Sequence, residues 1–217
     1  RNHPYKDPAQ LADLGRTANG TKVLVNREVY EADFKLGIGS IVPHHIPGFA
    51  GGAKIIQPGV SGEVTTAHTH LLSVQAPRSY LGVLDNPVRA ELDAIARRVG
   101  MNTILNTVLN RHGEVVAAFF GDVEAAFRAG VKRCIDVYAA VIPAEADIVL
   151  ASSHPCDLEF WQAHKTLYPS DLAVKAGGII IIVTVQCDAR LYQFCCYHRT
   201  IAPPQTHKYS LIDFTRD

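Results

Sequence analysis

Between Pro43 and Ser61 the chain sets Gly48, Gly51, Gly52 and Gly59 among Pro43, Pro47 and Pro58. Punctuation this dense forbids a regular helix or a long strand, because glycine and proline interrupt both. The stretch must be a loop held open by its neighbours, and it carries reactive side chains. The run Pro43-His44-His45-Ile46-Pro47-Gly48-Phe49-Ala50-Gly51-Gly52-Ala53-Lys54 continues through Gln57-Pro58-Gly59-Val60-Ser61 to His68-Thr69-His70. One histidine lies ten residues before Lys54 and another sixteen after it. The pattern reads as a strand opening into a loop that gathers a base, an amine and an imidazole. Loops on a rigid scaffold are where chemistry concentrates.

Each of these groups has a plain reading and a sharper one. Most lysines are solvated surface residues. A phosphate-binding loop requires Ser or Thr after its lysine, and Ile55 and Ile56 follow here, which argues against an NTPase. Two apolar neighbours point instead to an amine in a partly buried loop, where covalent chemistry is favoured. On a strand, His68 and His70 would face one side, as in many metal sites; an isolated His-x-His is as often structural. His44 suits general acid/base work because imidazole titrates near neutral pH, and His45 packs or hydrogen-bonds beside it.

A second cluster is Pro155-Cys156-Asp157-Leu158-Glu159-Phe160-Trp161-Gln162-Ala163-His164-Lys165. Gln162 and Lys165 lie three apart and share a helix face, either as an ordinary solvated face or pointing together into a cleft. Cys187, Cys195, Cys196 and His198 match no usual zinc spacing.

Length and composition bound the rest. A chain of 217 residues can bury one large core or two small ones. With 47% hydrophobic and 19% charged residues it is globular rather than disordered. The 21 basic and 21 acidic residues cancel, so nothing suggests a grip on nucleic acid or an anionic membrane. No apolar run reaches the ~20 residues of a membrane helix. Five cysteines without framework spacing suit a reducing cytoplasm. The chain opens on Arg1, and Met101 is its only methionine, so we expect a fragment.

Along the chain, residues 1–20 read as loop with a short helical turn. Thr21 to Asn26 reads as a strand, Arg27 to Asp33 as a short helix, and Lys35 to Val42 as the strand that delivers His44. The stripe Val88, Leu92, Ile95 and Val99 predicts a helix from Asn86 to Val99, capped by Asp85 or Asn86. Ile104 to Leu109 and Val115 to Phe120 predict paired strands, and Asp122 caps a helix to about Cys134 with Val123, Phe127 and Val131 buried. Beyond a hinge at Pro143 to Ala146, we expect a strand at Asp147 to Ala151, helices at Asp157 to Leu167 and Asp171 to Ala176, and a strand at Ile179 to Val185. This is the βαβ alternation of a parallel sheet. Residues 184–217 lack a clear period and read as an altered frame or an unrelated terminus. The expected fold is α/β in two domains, residues 1–142 and 143–217, with mixed and parallel sheets, flanking helices and an interdomain cleft.

The loop resembles the nickel-dependent lactate racemase family, in which a histidine, a Gly-Gly-x-Lys loop, a Pro-Gly turn and a further histidine recur at this spacing. The likeness extends over roughly residues 1–183 and begins well inside the family's first domain, so residues 1–142 would be the later part of its cofactor-binding domain. It implies a nickel-pincer nucleotide held covalently on Lys54 through a thioamide, with Gly51 and Gly52 shaping its loop. It further implies His70 as nickel ligand and His44 as one of two acid/base histidines. The family also carries a Pro-x-Asp segment and an aromatic-Gln-x-x-Lys run. Asp157, Trp161, Gln162 and Lys165 match these, tyrosine being the more usual aromatic. Trp161, Gln162 and Lys165 would then contact substrate, Lys165 pairing with its carboxylate.

The resemblance thus implies a racemase or epimerase of 2-hydroxy acids, served by cofactor-biosynthesis enzymes. The family's second histidine and a substrate-binding arginine fall outside this chain, so the fragment alone is expected to be inactive. Two alternatives compete: a zinc-dependent hydrolase using His68 and His70, and a non-catalytic homologous binding domain.

Overall fold

The computed structural model describes residues 2–76, 79–156, 160–185, 192–198 and 209–212 and divides into two units, residues 1–139 and 140–217. In the first unit, β1 (Leu11–Arg16) and β2 (Lys22–Asn26) form an antiparallel hairpin. The Asn26 side chain accepts the Val29 N–H at 3.2 Å and so starts α1 (Arg27–Glu31), satisfying a donor that the helix itself cannot. The next strand, β3 (Leu36–Ser40), leads into β4 (Pro43–His44), which pairs with β5 (Gly48–Phe49). A single 3₁₀ turn, Gly52–Ile55, carries Lys54. Both His68 and His70 lie on α2 (Glu63–Ser73).

The predicted helix appears as α3 (Pro87–Val99), with the Asn86 side chain accepting the Arg89 N–H at 2.8 Å. Pro87 occupies a first-turn position, where its missing N–H is no loss. Strands β6 (Thr103–Leu109) and β7 (Val115–Gly121) pair antiparallel. Asp122 then accepts the Glu124 and Ala125 N–H groups at 3.1 and 2.8 Å to open α4 (Val123–Tyr138).

The sheet runs β3-β6-β7, with β3 parallel to β6. Alternation along β6 turns Ile104, Asn106 and Val108 inward, as the two-residue period of a strand requires. The apolar two meet Phe127, Val131 and Cys134 of α4, together with Ile41 and Phe49. A second core gathers Val23 and Val25 of β2 with Val88, Leu92, Ile95, Ala96 and Val99 of α3, and includes Ala53 and Ile56. The glycine-rich loop is thus fastened at Phe49 into one core and at Ala53 and Ile56 into the other. At about 25 cal/mol per Å², that burial holds the segment bearing Lys54 far more firmly than its glycine content suggests.

Burial pushes the Cys134 thiol up to about 11, whereas Cys156 is exposed. At pH 8 the buried thiol is roughly one part in a thousand thiolate, the reactive form. Iodoacetamide at that pH should therefore modify the peptide carrying Cys156 within minutes and leave that carrying Cys134 unmodified until denaturant is added. Peptide mass mapping checks this, and equal rates would contradict the packing of α4.

The second unit contains β8 (Ala146–Ser152), α5 (Phe160–Ala163), a 3₁₀ turn at His164–Thr166, α6 (Leu167–Ala173), β9 (Val174–Val185), β10 (Tyr192–His198) and β11 (Tyr209–Ile212). Its sheet order is β11-β10-β9-β8, with β8 and β9 parallel and the remaining pairs antiparallel. Val174, Ile180 and Ile182 form its core, with Val149 and Leu167 packed against them. Lys175 lies 2.8 Å from Asp147 and holds that carboxyl below the usual range.

Four sequence expectations change. Residues 11–16 form a strand, because pairing with β2 and burial of Leu11 and Ala12 override a turn-rich local composition. His68 and His70 sit on a helix, whose buried face is Thr65 and Thr69, a pattern that apolar periodicity cannot register. The helix expected over 171–176 stops at Ala173, and Val174 begins β9. Residues 192–198 and 209–212, left without elements above, extend the second sheet.

Candidate active site

From the end of β3 the chain turns through the β4–β5 pair, where Pro43 faces Phe49 and His44 faces Gly48. The Ile46 N–H donates to His44 Nδ1 at 3.1 Å, so the neutral ring carries its proton on Nε2. His45 stacks on it with ring centroids 4.7 Å apart and planes 10° from parallel.

Gly51 and Gly52 follow, with φ of 91° and 56°. A Cβ at Gly51 would stand 2.8 Å from Ile41 and 2.9 Å from Asn106 Oδ1, and one at Gly52 would stand 2.9 Å from the Phe127 ring. Both conformation and space therefore demand glycine. The Gly52 N–H donates to Asn106 Oδ1 at 2.7 Å, and the Lys54 N–H to the Gly51 carbonyl at 3.2 Å. Lys54 is partly exposed between two buried neighbours, Ala53 and Ile56, with the exposed Ile55 beside it.

Gln57 ties this turn to α2. Fully buried, it donates from Nε2 to Thr69 Oγ1 at 2.7 Å. Thr65 Oγ1 donates to the Lys22 carbonyl at 2.7 Å and accepts the Leu24 N–H at 2.8 Å, which joins the helix to β2. On the same helix His70 Nδ1 lies 2.8 Å from the Thr66 carbonyl. A carbonyl only accepts, so Nδ1 carries the hydrogen and Nε2 keeps its lone pair, the arrangement expected of a metal-ligating imidazole. His68 instead accepts the Lys22 N–H at Nδ1, 3.3 Å away. Residues two apart on a helix are about 200° apart around its axis, so the shared face expected of a His68–His70 pair does not exist.

One residue was missed. Arg89 on α3 is only 2% exposed. It donates through Nη2 to the Phe49 carbonyl and through Nη1 to the Gly51 carbonyl at 3.3 Å. Its guanidinium lies 4.2 Å from the Phe127 ring centroid and 3.7 Å from Asp93. Burial lowers it to about 10, against the pull of Asp93, while burial raises Asp93. The available signal was Arg89 standing three residues before Leu92 at the margin of the apolar stripe, with Asp93 one turn on.

In the second unit, Lys165 Nζ donates to Gln162 Oε1 at 2.6 Å, and both side chains are partly buried. Trp161 lies on α5, next to Gln162. Asp157 lies outside the described residues. The structure therefore links the Lys54 turn to the His70 helix, joins His44 to the same loop, and pairs Gln162 with Lys165. Among the described residues no group of three or more His, Cys, Asp or Glu side chains could hold a metal ion, and no helix is long and apolar enough to cross a membrane.

The mixed α/β fold is that of a lactate racemase-like class of protein. Residues 1–82 match the lactate racemase N-terminal domain, and the chain belongs to the lactate racemase family. It is 30% identical over 190 residues to a lactate racemase of Thermoanaerobacterium thermosaccharolyticum, covering 86% of this chain and 44% of that protein. A lactate racemase of Lactiplantibacillus plantarum is 27% identical over 185 residues, covering 83% of this chain and 43% of that one. The solved structure of the T. thermosaccharolyticum lactate racemase apoprotein superposes with a TM-score of 0.80 at 30% identity, covering 86% of this chain and 45% of that one. A Thermotoga maritima protein shares the fold at a TM-score of 0.56 and 23% identity, over 73% of this chain and 44% of that one. The chain spans less than half the length of the curated relatives it matches.

Proposed function

We propose that this chain carries the cofactor-holding part of a nickel-dependent racemase or epimerase of 2-hydroxy acids. The observation that carries the reading is the hydrogen-bonded unit in which Gln57 fixes the Lys54 turn to α2 while the Thr66 carbonyl holds His70 with Nε2 available. Among the described residues His70 belongs to no group of three or more metal-ligating side chains, which fits a metal whose remaining donors come from an organic group, as in a nickel-pincer nucleotide. Lys54 would hold that group covalently, Gly51 and Gly52 would let the backbone approach it, and His70 would ligate the nickel. When bound, the group supplies an acceptor for the substrate's α-hydrogen.

The chain's own residues do the rest. His44 handles the hydroxyl proton at Nε2; acting there as a base requires the ring's hydrogen to stand on Nδ1, which displaces the Ile46 N–H. Lys165 pairs with the substrate carboxylate and Gln162 orients it, after their mutual hydrogen bond opens. The substrate is a small 2-hydroxy acid, and the enzymes that build the cofactor are the implied partners. The zinc hydrolase reading loses its footing, since His68 and His70 share no face.

The test is to produce the chain alongside cofactor-synthesis enzymes and record its intact mass and nickel content. A covalent increase mapping to the Lys54 peptide, with nickel bound, is the expected result. His70→Ala should keep the adduct but lose nickel by about tenfold or more, the usual consequence of removing a ligand. An unmodified Lys54 would leave a non-catalytic homologous binding domain as the better reading.

A further inference from the structure

We propose that Arg89 is a positioning residue for Lys54, fixing the direction in which that side chain leaves the loop. The reading of Lys54 as the cofactor lysine supplies the consequence of this role; the geometry stands apart from it. The Gly51 carbonyl and the Gly52 N–H belong to one peptide group. Arg89 Nη1 holds its oxygen at 3.3 Å and Asn106 Oδ1 holds its hydrogen from 2.7 Å, so its plane cannot turn without breaking a buried bond. The same Gly51 oxygen also accepts the Lys54 N–H at 3.2 Å, which puts one atom between the guanidinium and the lysine's own backbone.

Arg89 Nη2 holds the Phe49 carbonyl as well, two residues earlier, and Phe127 lies under the guanidinium at 4.2 Å while filling the space beside Gly52. A planar fork that grips two carbonyls and stacks on a ring is specific to arginine; an ammonium reaches one carbonyl and does not stack in this way. Its Nε is buried with no hydrogen-bond partner among the described residues. A charge kept at 2% exposure with an unmet donor is costly, and a mere filler at this position would be apolar.

The experiment uses the whole chain without cofactor, so it is independent of whether an adduct forms. Trace acetylation with acetic anhydride between pH 7 and 10 gives the rate of Lys54 relative to Lys22 and Lys35 on the same molecules. Arg89→Met should change the relative Lys54 rate by about threefold or more and alter its pH profile, with Arg89→Lys recovering part of it. If Arg89→Met fails to unfold cooperatively, Arg89→Lys is compared with the parent by hydrogen exchange. The Gly52 and Lys54 amides should then speed up by about tenfold while those of Phe127 to Val131 do not change. An unchanged relative Lys54 rate, or loop and helix amides accelerating together, would overturn the proposal and make Arg89 a support of the fold. An absent adduct on Lys54 would overturn only the functional reading.

Discussion

Replacing Lys54 with arginine is expected to abolish the covalent mass increase entirely in chain produced with cofactor-synthesis enzymes. The unfolding free energy should stay within about 0.5 kcal/mol of the parent, as for substitutions away from buried contacts. Lys54 is partly exposed on its turn, and the firm attachments of the segment are made by Phe49, Ala53 and Ile56, so arginine can keep the positive charge without disturbing either core. It cannot keep the chemistry. A guanidinium stays protonated at any working pH and is a poor nucleophile, whereas a lysine amine can deprotonate and form an acyl-type bond. Intact mass and a denaturant titration on the same preparation check both halves. An adduct persisting in the Lys54→Arg chain would move the attachment point elsewhere and remove the basis of the functional proposal.

Phe127→Ala is expected to carry the largest stability loss, about 3–5 kcal/mol in urea. Phe127 is 2% exposed and packs with Ile41, Phe49, Ile104, Val108 and Val131, so truncation leaves a cavity that elements on several sides must fail to fill. The same change removes the ring beneath Arg89 and the wall beside Gly52, and both losses reach the loop of Lys54. Phe34→Ala is the matched control: Phe34 is 65% exposed, and its loss should register at about 0.5 kcal/mol or less. Similar values for the two variants would mean that the β3-β6-β7 sheet and α4 are not packed as described.

The legible parts of the chain were those in which apolar spacing and capping chemistry agree. The stripe Val88, Leu92, Ile95 and Val99 behind Asn86, one of the two caps expected, announces α3, Asp122 announces α4, and the apolar runs from Ile104 and Val115 announce paired strands. The glycine-rich loop was legible for another reason: glycines and prolines this dense between Pro43 and Ser61 leave few regular conformations open. Helix α2 was hidden because its inward side is threonine, whose hydroxyls are satisfied by Lys22, Leu24 and Gln57 in distant parts of the sequence. Arg89 was hidden because a charged residue on an amphipathic helix ordinarily reads as solvent-facing. Its partners at Phe49 and Gly51 are nearly forty residues away, and no local pattern points to them.

The threonine seam of α2 has one more consequence. A helix seated on an oily surface can roll a little at small penalty, since apolar contacts are not directional. One seated on Thr65 and Thr69 cannot, because rotation strands buried hydroxyls at about 1–3 kcal/mol apiece. The imidazole at 70 is therefore indexed like a tooth on a locked gear, and evolution could retune its direction by editing threonines alone.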